Sequence, residues 1–161
     1  MYLTFQSSFM KYLPLLTMAF LWMSCSSSKP SHTLENHPDK SLIFGEGGGF
    51  AGTVTMYKLF ENGQLFRKSP RDNTFSELMA IDKVQADQYF STVEKMGFMN
   101  MKCNEPENWY YFLEMDDDHM TTKLVWGTNS STATETLKLF YKNLLNVAKK
   151  QSAIEKKSVN Q

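Results

Sequence analysis

Cysteine and net charge are both scarce in this chain, and each scarcity excludes a class of protein. Cys25 and Cys103 are the only two cysteines, so using either one for another purpose excludes an intramolecular disulfide. An unpaired Cys103 in an oxidising compartment would have to be buried to stay inert. Basic and acidic side chains number 17 each. Because nucleic-acid-binding domains carry a basic excess, we expect no nucleic-acid partner.

Histidine is almost as scarce, with three residues in the chain. His32 and His37 fall in a polar segment and lack the spacing of a helical metal site. His119 is therefore the only histidine of the folded domain. Histidine is the commonest general base near neutral pH, so its scarcity favours a protein without catalytic activity.

Two alternatives would make the protein a small hydrolase-like enzyme. In the first, Cys103 is the nucleophile and His119 its base, although no oxyanion motif or orienting partner accompanies them. In the second, the acidic run Asp116–Asp118 supplies the reactive groups. That run lacks the D-x-[DN]-x-[DN]-G spacing of a calcium loop and is typical of a solvated turn. We therefore expect no catalytic residue, metal ligand or cofactor.

The N-terminal segment has the organisation of a bacterial secretory signal. Lys11 is the only charged residue before Cys25. The apolar run Leu13–Met23 is shorter than the roughly 20 residues that a membrane-spanning helix needs. A serine and Cys25, followed by three more serines, resemble the site at which a bacterial lipoprotein signal is cleaved. Trp22 and Met23 depart from the residues usual at that site.

The lipoprotein resemblance implies a cellular location for the protein, at a membrane of the cell envelope. Residues 1–24 would be removed as a signal peptide, and Cys25 would be lipidated with palmitate-type chains. Two or three acyl chains give stable anchoring to a membrane. Met10 could be the true start, which leaves Cys25 as the lipidation site. Because Ser26 rather than an acidic residue follows Cys25, the resemblance favours the outer membrane of the cell envelope.

The rest of the chain divides into three parts. Residues 25–41 are polar, contain two prolines and predict a flexible tether. Residues 42–148 predict a single folded domain, which the aromatic content of 14% supports. Residues 149–161 predict a polar, solvated tail.

Periodicity predicts an α+β fold for the domain. Strands are expected at 42–44, 53–60, 65–68, 75–81, 109–115 and 119–126. Asn62-Gly63 predicts a hairpin turn. Helices are expected at 83–96, capped by Asp82 and ended by Gly97, and after a second cap at Thr132. The order β-β-β(-β)-α-β-β-α predicts an antiparallel sheet of about five to six strands with both helices on one face.

A glycine-rich stretch lies near the start of the domain. From Gly47 the letters GGGFAGTV fit a G-x-G-x-x-G-x-V pattern, which in other proteins can hold nucleotide phosphates. The β-branched residues that follow predict a strand, so a phosphate-binding helix terminus is missing. The V-A-I-K, H-R-D and D-F-G motifs of kinases are also absent. We expect no nucleotide and a conformational role for the glycines, with Gly47, Gly48, Gly49 and Phe50 as a candidate partner-binding loop.

The same stretch supports a family resemblance. GGGFAG, a strand with Tyr57 and the Asn-Gly turn resemble small uncharacterised lipoproteins of the Bacteroidota with a G-G-G-F-[AT]-G motif. The resemblance covers about residues 42–147. It implies a compact α+β envelope protein and carries no assigned activity.

The strand predicted at 109–115 is apolar on both of its faces. Tyr110 and Phe112 lie on the face away from the helices, and we group Trp126 with them as candidate contact residues. The apolar face that the helices leave uncovered could be shielded from water by the chain itself, by a ligand or by a partner.

These patterns favour a lipid-anchored envelope protein that acts as a non-catalytic binding or accessory module. Its partners would be the membrane, through the N-terminal lipid, and another envelope protein. The hydrolase-like enzyme is the alternative. An inhibitor of a foreign enzyme also fits the size and the location, without a motif to support it.

Overall fold

The computed structural model describes His32 and residues 40–70, 73–117 and 119–159. The predicted signal peptide 1–24, the lipidation site Cys25, most of the predicted tether and Asp118 lie outside the described residues.

Seven strands and two α-helices occur within those described ranges. The strands are β1 Ser41–Gly48, β2 Thr53–Phe60, β3 Leu65–Lys68, β4 Phe75–Glu77, β5 Asn104–Glu105, β6 Trp109–Asp117 and β7 Met120–Gly127. The helices are α1 Lys83–Lys95 and α2 Glu135–Val159, and a 3-10 turn spans Phe98–Asn100. The predicted α+β class and the order of its main elements are confirmed.

All seven strands form one sheet in the order β4-β3-β2-β1-β6-β7-β5. Neighbouring strands are antiparallel except β5 and β7, which are parallel. The strand count is higher than expected because β5 has two residues, too few to show an alternating pattern. The strand expected over residues 75–81 is shorter in the structure, where β4 spans only Phe75–Glu77. Its neighbour β3 has four residues, which limits how far β4 can pair.

β1 runs through the glycine stretch to Gly48, whereas the sequence predicted a strand ending at Phe44. It lies in the middle of the sheet and pairs along its whole length with β2 on one side and β6 on the other. Glycine is a poor strand former by itself. Here the hydrogen bonding on both sides overrides that local preference.

Both helices pack on the same face of the sheet, as predicted. The register places alternate residues of β1, β2, β6 and β7 on this face. The core includes Leu42, Phe44, Leu59, Leu113 and Trp126 from the sheet, and Phe90, Val93, Leu137, Tyr141 and Leu144 from the helices. Each such side chain contributes about 1.5–3 kcal/mol when fully buried.

The ends of α1 follow the predicted local signals. The Asp82 carboxylate accepts a hydrogen bond from the backbone N–H of Val84 at 2.8 Å. Gly97, with φ of 68°, adopts the left-handed conformation that ends many helices.

The N-terminal cap of α2 differs from the prediction. The hydroxyl of Thr134, rather than that of Thr132, accepts the backbone N–H of Leu137 at 3.2 Å. Thr132 instead contacts Cys103. Two threonines two residues apart offer similar capping signals, and the contact with Cys103 occupies one of them.

α2 also continues beyond its predicted end, so the segment assigned to a polar tail is helical as far as Val159. Lys149 forms an ion pair with Glu46 of β1 at 2.6 Å. Ser152 is buried, and its hydroxyl donates to the carbonyl of Ala148. The ion pair with the sheet and the burial of Ser152 stabilise turns that the lysine-rich sequence does not predict.

One residue of the predicted flexible tether is attached to the domain. The backbone N–H of His32 donates to Gln64 Oε1 at 2.7 Å, and Gln64 Nε2 donates to the His32 carbonyl at 3.1 Å. The imidazole also meets the ring of Phe60 edge-on. At this residue the tether is docked against the turn between β2 and β3.

Candidate functional site

The glycine stretch ends in a tight turn between β1 and β2. Gly48 and Gly49 have φ values of 118° and 73°, which L-residues rarely adopt. The N–H of Gly49 donates to the carbonyl of Asn108 at 2.8 Å, and the N–H of Gly52 donates to Gly49 at 3.1 Å. The turn is therefore held both by its own hydrogen bond and by the chain leading into β6.

This turn presents an exposed aromatic surface. The Phe50 side chain is fully exposed, and Trp109 is 42% exposed. A Cβ built on Gly49 would lie 3.6 Å from the Trp109 ring, so the indole packs directly beside the turn. We call Gly49, Phe50 and Trp109 the aromatic tip.

The four residues of the predicted binding loop do not act as one loop. Gly47 and Gly48 are strand residues of β1, and only Gly49 and Phe50 belong to the turn. Trp109, which the sequence analysis placed in a strand, joins them because β6 pairs with β1 at Gly48. The glycines are followed by β2, not by a helix, so the helix terminus of a nucleotide-binding loop does not follow them.

Glycine has a packing role on the sheet face away from the helices. A Cβ at Gly47 would lie 2.8 Å from the Tyr110 hydroxyl, and one at Gly45 would lie 2.7 Å from the Phe112 ring. The two rings of β6 therefore occupy the space above two glycines of β1. Close packing of this kind, rather than ligand binding, accounts for these glycines.

The three aromatic residues grouped as contact candidates occupy different environments. Phe112 is buried, with the ammonium of Lys123 5.1 Å from its ring centroid. Tyr110 is half-buried. The grouping of Trp126 with them was wrong: Trp126 pairs with Tyr111 on the helix-covered face and is 2% exposed. Strand alternation places residues of one pair on the same face, and that register was not known from sequence.

Cys103 is buried, as expected, and lies in a network of hydroxyl groups. Its sulfur is 3.0 Å from the Thr132 hydroxyl and 3.4 Å from the Val125 carbonyl. The Ser130 hydroxyl donates to Glu105 at 2.6 Å and accepts from the N–H of Ala133. This network ties the loop before α2 to β5.

The Glu105 carboxylate, which belongs to this network, is poorly suited to act as a general base. The hydrogen bond from Ser130 lowers the pKa of Glu105 below its ordinary value. A carboxylate with a lowered pKa accepts a proton less readily, which does not suit activation of the serine hydroxyl. The arrangement is that of a structural loop anchor.

Cys103 and His119 are too far apart to act as nucleophile and base. Cys103 lies beside Val125, whose N–H donates to the Cys103 carbonyl at 2.9 Å. His119 precedes β7 and is six residues before Val125 along the chain. At about 3.3 Å per strand residue the separation is about 20 Å, against the roughly 3 Å that proton transfer needs.

The acidic turn engages its carboxylates in local contacts. Asp116 accepts a hydrogen bond from the Thr121 hydroxyl at 2.7 Å. Asp117 lies 3.9 Å from the ammonium of Lys40. In the part of the chain that the structure describes, no group of three or more His, Cys, Asp or Glu side chains could hold a metal ion.

Two cavities between α2 and the sheet were not predicted. The first, of about 380 Å³, is lined by three aromatic rings, two lysines and a glutamate, among others: Tyr111, Trp126, Tyr141, Lys138, Lys142 and Glu46. The Tyr141 hydroxyl donates to the Gly45 carbonyl at 2.6 Å, and burial raises the pKa of Tyr141 well above its ordinary value. Tyr141 is therefore a neutral hydrogen-bond donor at any physiological pH.

The second cavity, of about 280 Å³, shares Glu46 with the first. It is lined by a mixture of charged and hydroxyl side chains: Glu46, Thr55, Tyr57, Arg67, Lys149 and Ser152. Sequence analysis missed it because Lys149 and Ser152 fall in the segment assigned to the tail. Ala153 and Ile154 are the only apolar residues between Lys149 and Lys157, too few to show a helical period.

A third concave surface is the groove between α1 and α2, with a volume of about 600 Å³. Tyr89 and Phe140 meet edge-on at its base. Its rim carries carboxamides from both helices, at Gln85, Gln88, Asn143 and Asn146.

No protein-family model matches the chain, and no curated protein is significantly similar to it. Across the described ranges, neither helix is long and apolar enough to cross a membrane.

Proposed function

We propose that this protein is a non-catalytic binding module, held at the bacterial cell envelope by lipid on Cys25, that contacts another envelope protein through the aromatic tip. The observation that carries the proposal is the fully exposed Phe50 side chain on a hydrogen-bonded turn. Phe50 follows Gly49, against which the partly exposed Trp109 ring packs. Exposed apolar residues grouped in this way, unlike a single scattered one, mark interaction sites.

The aromatic tip has the physical properties of a binding hot spot. Aromatic side chains supply large contact areas with few rotatable bonds and dominate the energies of many interfaces. The backbone hydrogen bonds of Gly49 and Gly52 order the turn before binding. Pre-ordering lowers the entropy lost on association, so more of the contact energy appears as affinity.

The position of the tip suits a partner other than the anchoring membrane. The chain enters the domain at Ser41, and the tip follows Gly48 at the opposite end of β1. Eight strand residues span about 26 Å. A domain tethered at Ser41 can therefore direct Phe50 away from its anchor. The partner surface would be an apolar crevice able to accept a phenyl ring.

The hydrolase-like alternative has no supporting geometry among the described residues. Its nucleophile and its base lie about 20 Å apart along the sheet. The carboxylates of Asp116 and Asp117 are engaged with Thr121 and Lys40.

The first prediction concerns contact at the tip. A photo-reactive residue in place of Ala51 should cross-link the full-length protein to a partner in intact cells. Adding Phe50→Ala should reduce that cross-link about tenfold or more, because losing a buried phenyl ring costs about 1.5–3 kcal/mol. Met79→Ala is the matched control, since Met79 is also exposed but lies outside the tip. An undiminished cross-link in Phe50→Ala would remove Phe50 from the interface.

The second prediction concerns the anchor. Cells fed radiolabelled palmitate should label the wild-type protein, and the labelled protein should sediment with membranes. Cys25→Ala should abolish the label and release the protein from that fraction, because Cys25 is the proposed attachment point. Cys103→Ala should keep both properties, since Cys103 is buried. Labelling that persists in Cys25→Ala would refute the lipoprotein assignment.

A further inference from the structure

Arg67 is a cation without a matched anion in the described structure. Its Nε is buried and has no hydrogen-bond partner among the described residues. No ion pair within those residues includes its guanidinium, although six ion pairs join other side chains. The side chain lines the 280 Å³ cavity beneath the end of α2.

A buried guanidinium N–H without an acceptor is energetically costly. Leaving a buried polar group unpaired destabilises the fold, and the loss is larger when the group is charged. The Ser41 hydroxyl and the Gln151 carbonyl are also buried without partners, but neither carries a charge. Of these three atoms, only Arg67 Nε belongs to a charged group, so the Arg67 guanidinium has the strongest requirement for an anion.

The other walls of the cavity suit an anion as well. Lys149 adds a second cation, and Thr55 adds a hydroxyl group that can donate a hydrogen bond. Glu46 is the one acidic residue of the lining, and the ion pair with Lys149 at 2.6 Å offsets its charge. The guanidinium thus faces a cavity rich in donors and net positive.

We propose that this cavity binds the oxyanion group of a small molecule, a carboxylate or a phosphate, through a forked contact with Arg67. The two terminal nitrogens of a guanidinium present two parallel donors that match two oxygens of either group. Lys149 and the hydroxyl of Thr55 complete the contacts. The site is separate from the aromatic tip, and it does not depend on the role proposed for that tip.

The site exists only because α2 continues past its predicted end. Lys149 and Ser152 both lie in the segment that the sequence analysis assigned to a solvated tail. In the folded chain this segment lines the open cavity together with Arg67 and Tyr57 of the sheet.

The test is a titration of the full-length protein, purified in detergent, with inorganic phosphate and separately with acetate. Ionic strength is held constant with chloride, and the Arg67 Nε–H signal is followed by nuclear magnetic resonance. We expect a saturable shift of that signal with at least one of the two anions. Saturation by phosphate alone or by acetate alone identifies the preferred group, and saturation by neither overturns the proposal.

Variants separate a specific site from general attraction of anions. Arg67→Lys keeps the charge but loses the fork, so we expect the affinity, followed through the Lys149 signals, to fall about tenfold or more. Lys68→Gln is the matched control, because it removes a neighbouring cation on the opposite sheet face, over Phe75. Equal weakening by both variants would overturn the proposal.

A further variant keeps the proposal testable if Arg67→Lys does not fold. Thr55→Val keeps Arg67 and removes one hydroxyl, so we expect it to fold and to bind more weakly than wild type. If Arg67→Lys unfolds the chain, unchanged anion affinity in Thr55→Val would overturn the site as described.

Discussion

Gly48→Ala is expected to destabilise the fold by about 3 kcal/mol or more. Gly48 has φ of 118°, a region that is essentially restricted to glycine. A Cβ there would also collide with the carbonyl oxygen of Asn108. Because that oxygen belongs to backbone that accepts the N–H of Gly49, it cannot move without breaking the turn. Urea unfolding followed by tryptophan fluorescence measures the loss.

The control for this prediction is Gly52→Ala in the same turn. Gly52 also has positive φ, 58°, but a Cβ there would meet nothing within 4 Å. We expect a loss of about 1–2 kcal/mol, the conformational cost alone. If the two variants lose equal stability, the collision with Asn108 does not contribute and the turn is more adaptable than its hydrogen bonds indicate.

The second large effect is expected for Trp126→Ala, at about 3–5 kcal/mol. Trp126 is 2% exposed, and its ring meets that of Tyr141 edge-on with centroids 5.0 Å apart. It also lies beside Tyr111. Removing the indole would leave a cavity next to the buried hydrogen bond between Tyr141 and Gly45. Denaturant unfolding followed by far-ultraviolet circular dichroism measures the change.

Trp109→Ala provides the matched comparison for Trp126. Its indole is 42% exposed and belongs to the aromatic tip, so we expect a loss below about 1 kcal/mol. Under the proposed function it should instead weaken partner cross-linking. A loss as large as that of Trp126→Ala would show that Trp109 supports the fold and would weaken its assignment to a binding surface.

Elements with strong local signals were predicted correctly. The Asn62-Gly63 pair does join β2 to β3, with Gly63 at φ of 91°. Asp82 and Gly97 bound α1 because a cap and a left-handed glycine act within a few residues of the helix end. Turns and helix caps can be predicted from the sequence because all the residues that form them are close together along the chain.

Elements that depend on distant partners were predicted poorly. β1 extends to Gly48 only because β2 and β6 hydrogen-bond to both of its edges. β5 is a strand only through β7. Trp126 was grouped with Tyr110 and Phe112, which lie on the opposite face, because the register between β6 and β7 is a property of the pair.

The candidate sites divide in the same way. The sequence placed Phe50 in the candidate loop among the glycines, and the structure shows that its side chain is fully exposed. Its neighbour Trp109 and the Arg67 cavity could not be predicted from the sequence, since each requires residues far apart in the chain to meet. The lipidation of Cys25 stays a prediction from the sequence.

By itself the sequence determined the class of the domain, the order of most of its strands and helices, and the turns and caps that punctuate them. These follow from periodicity and from local backbone preferences, which operate over a few residues. Tertiary structure decided how far β1 and α2 extend, which aromatic rings face the helices, and where Arg67 meets Lys149. Those outcomes depend on contacts between distant residues, whose energies exceed local preferences only once the sheet has assembled.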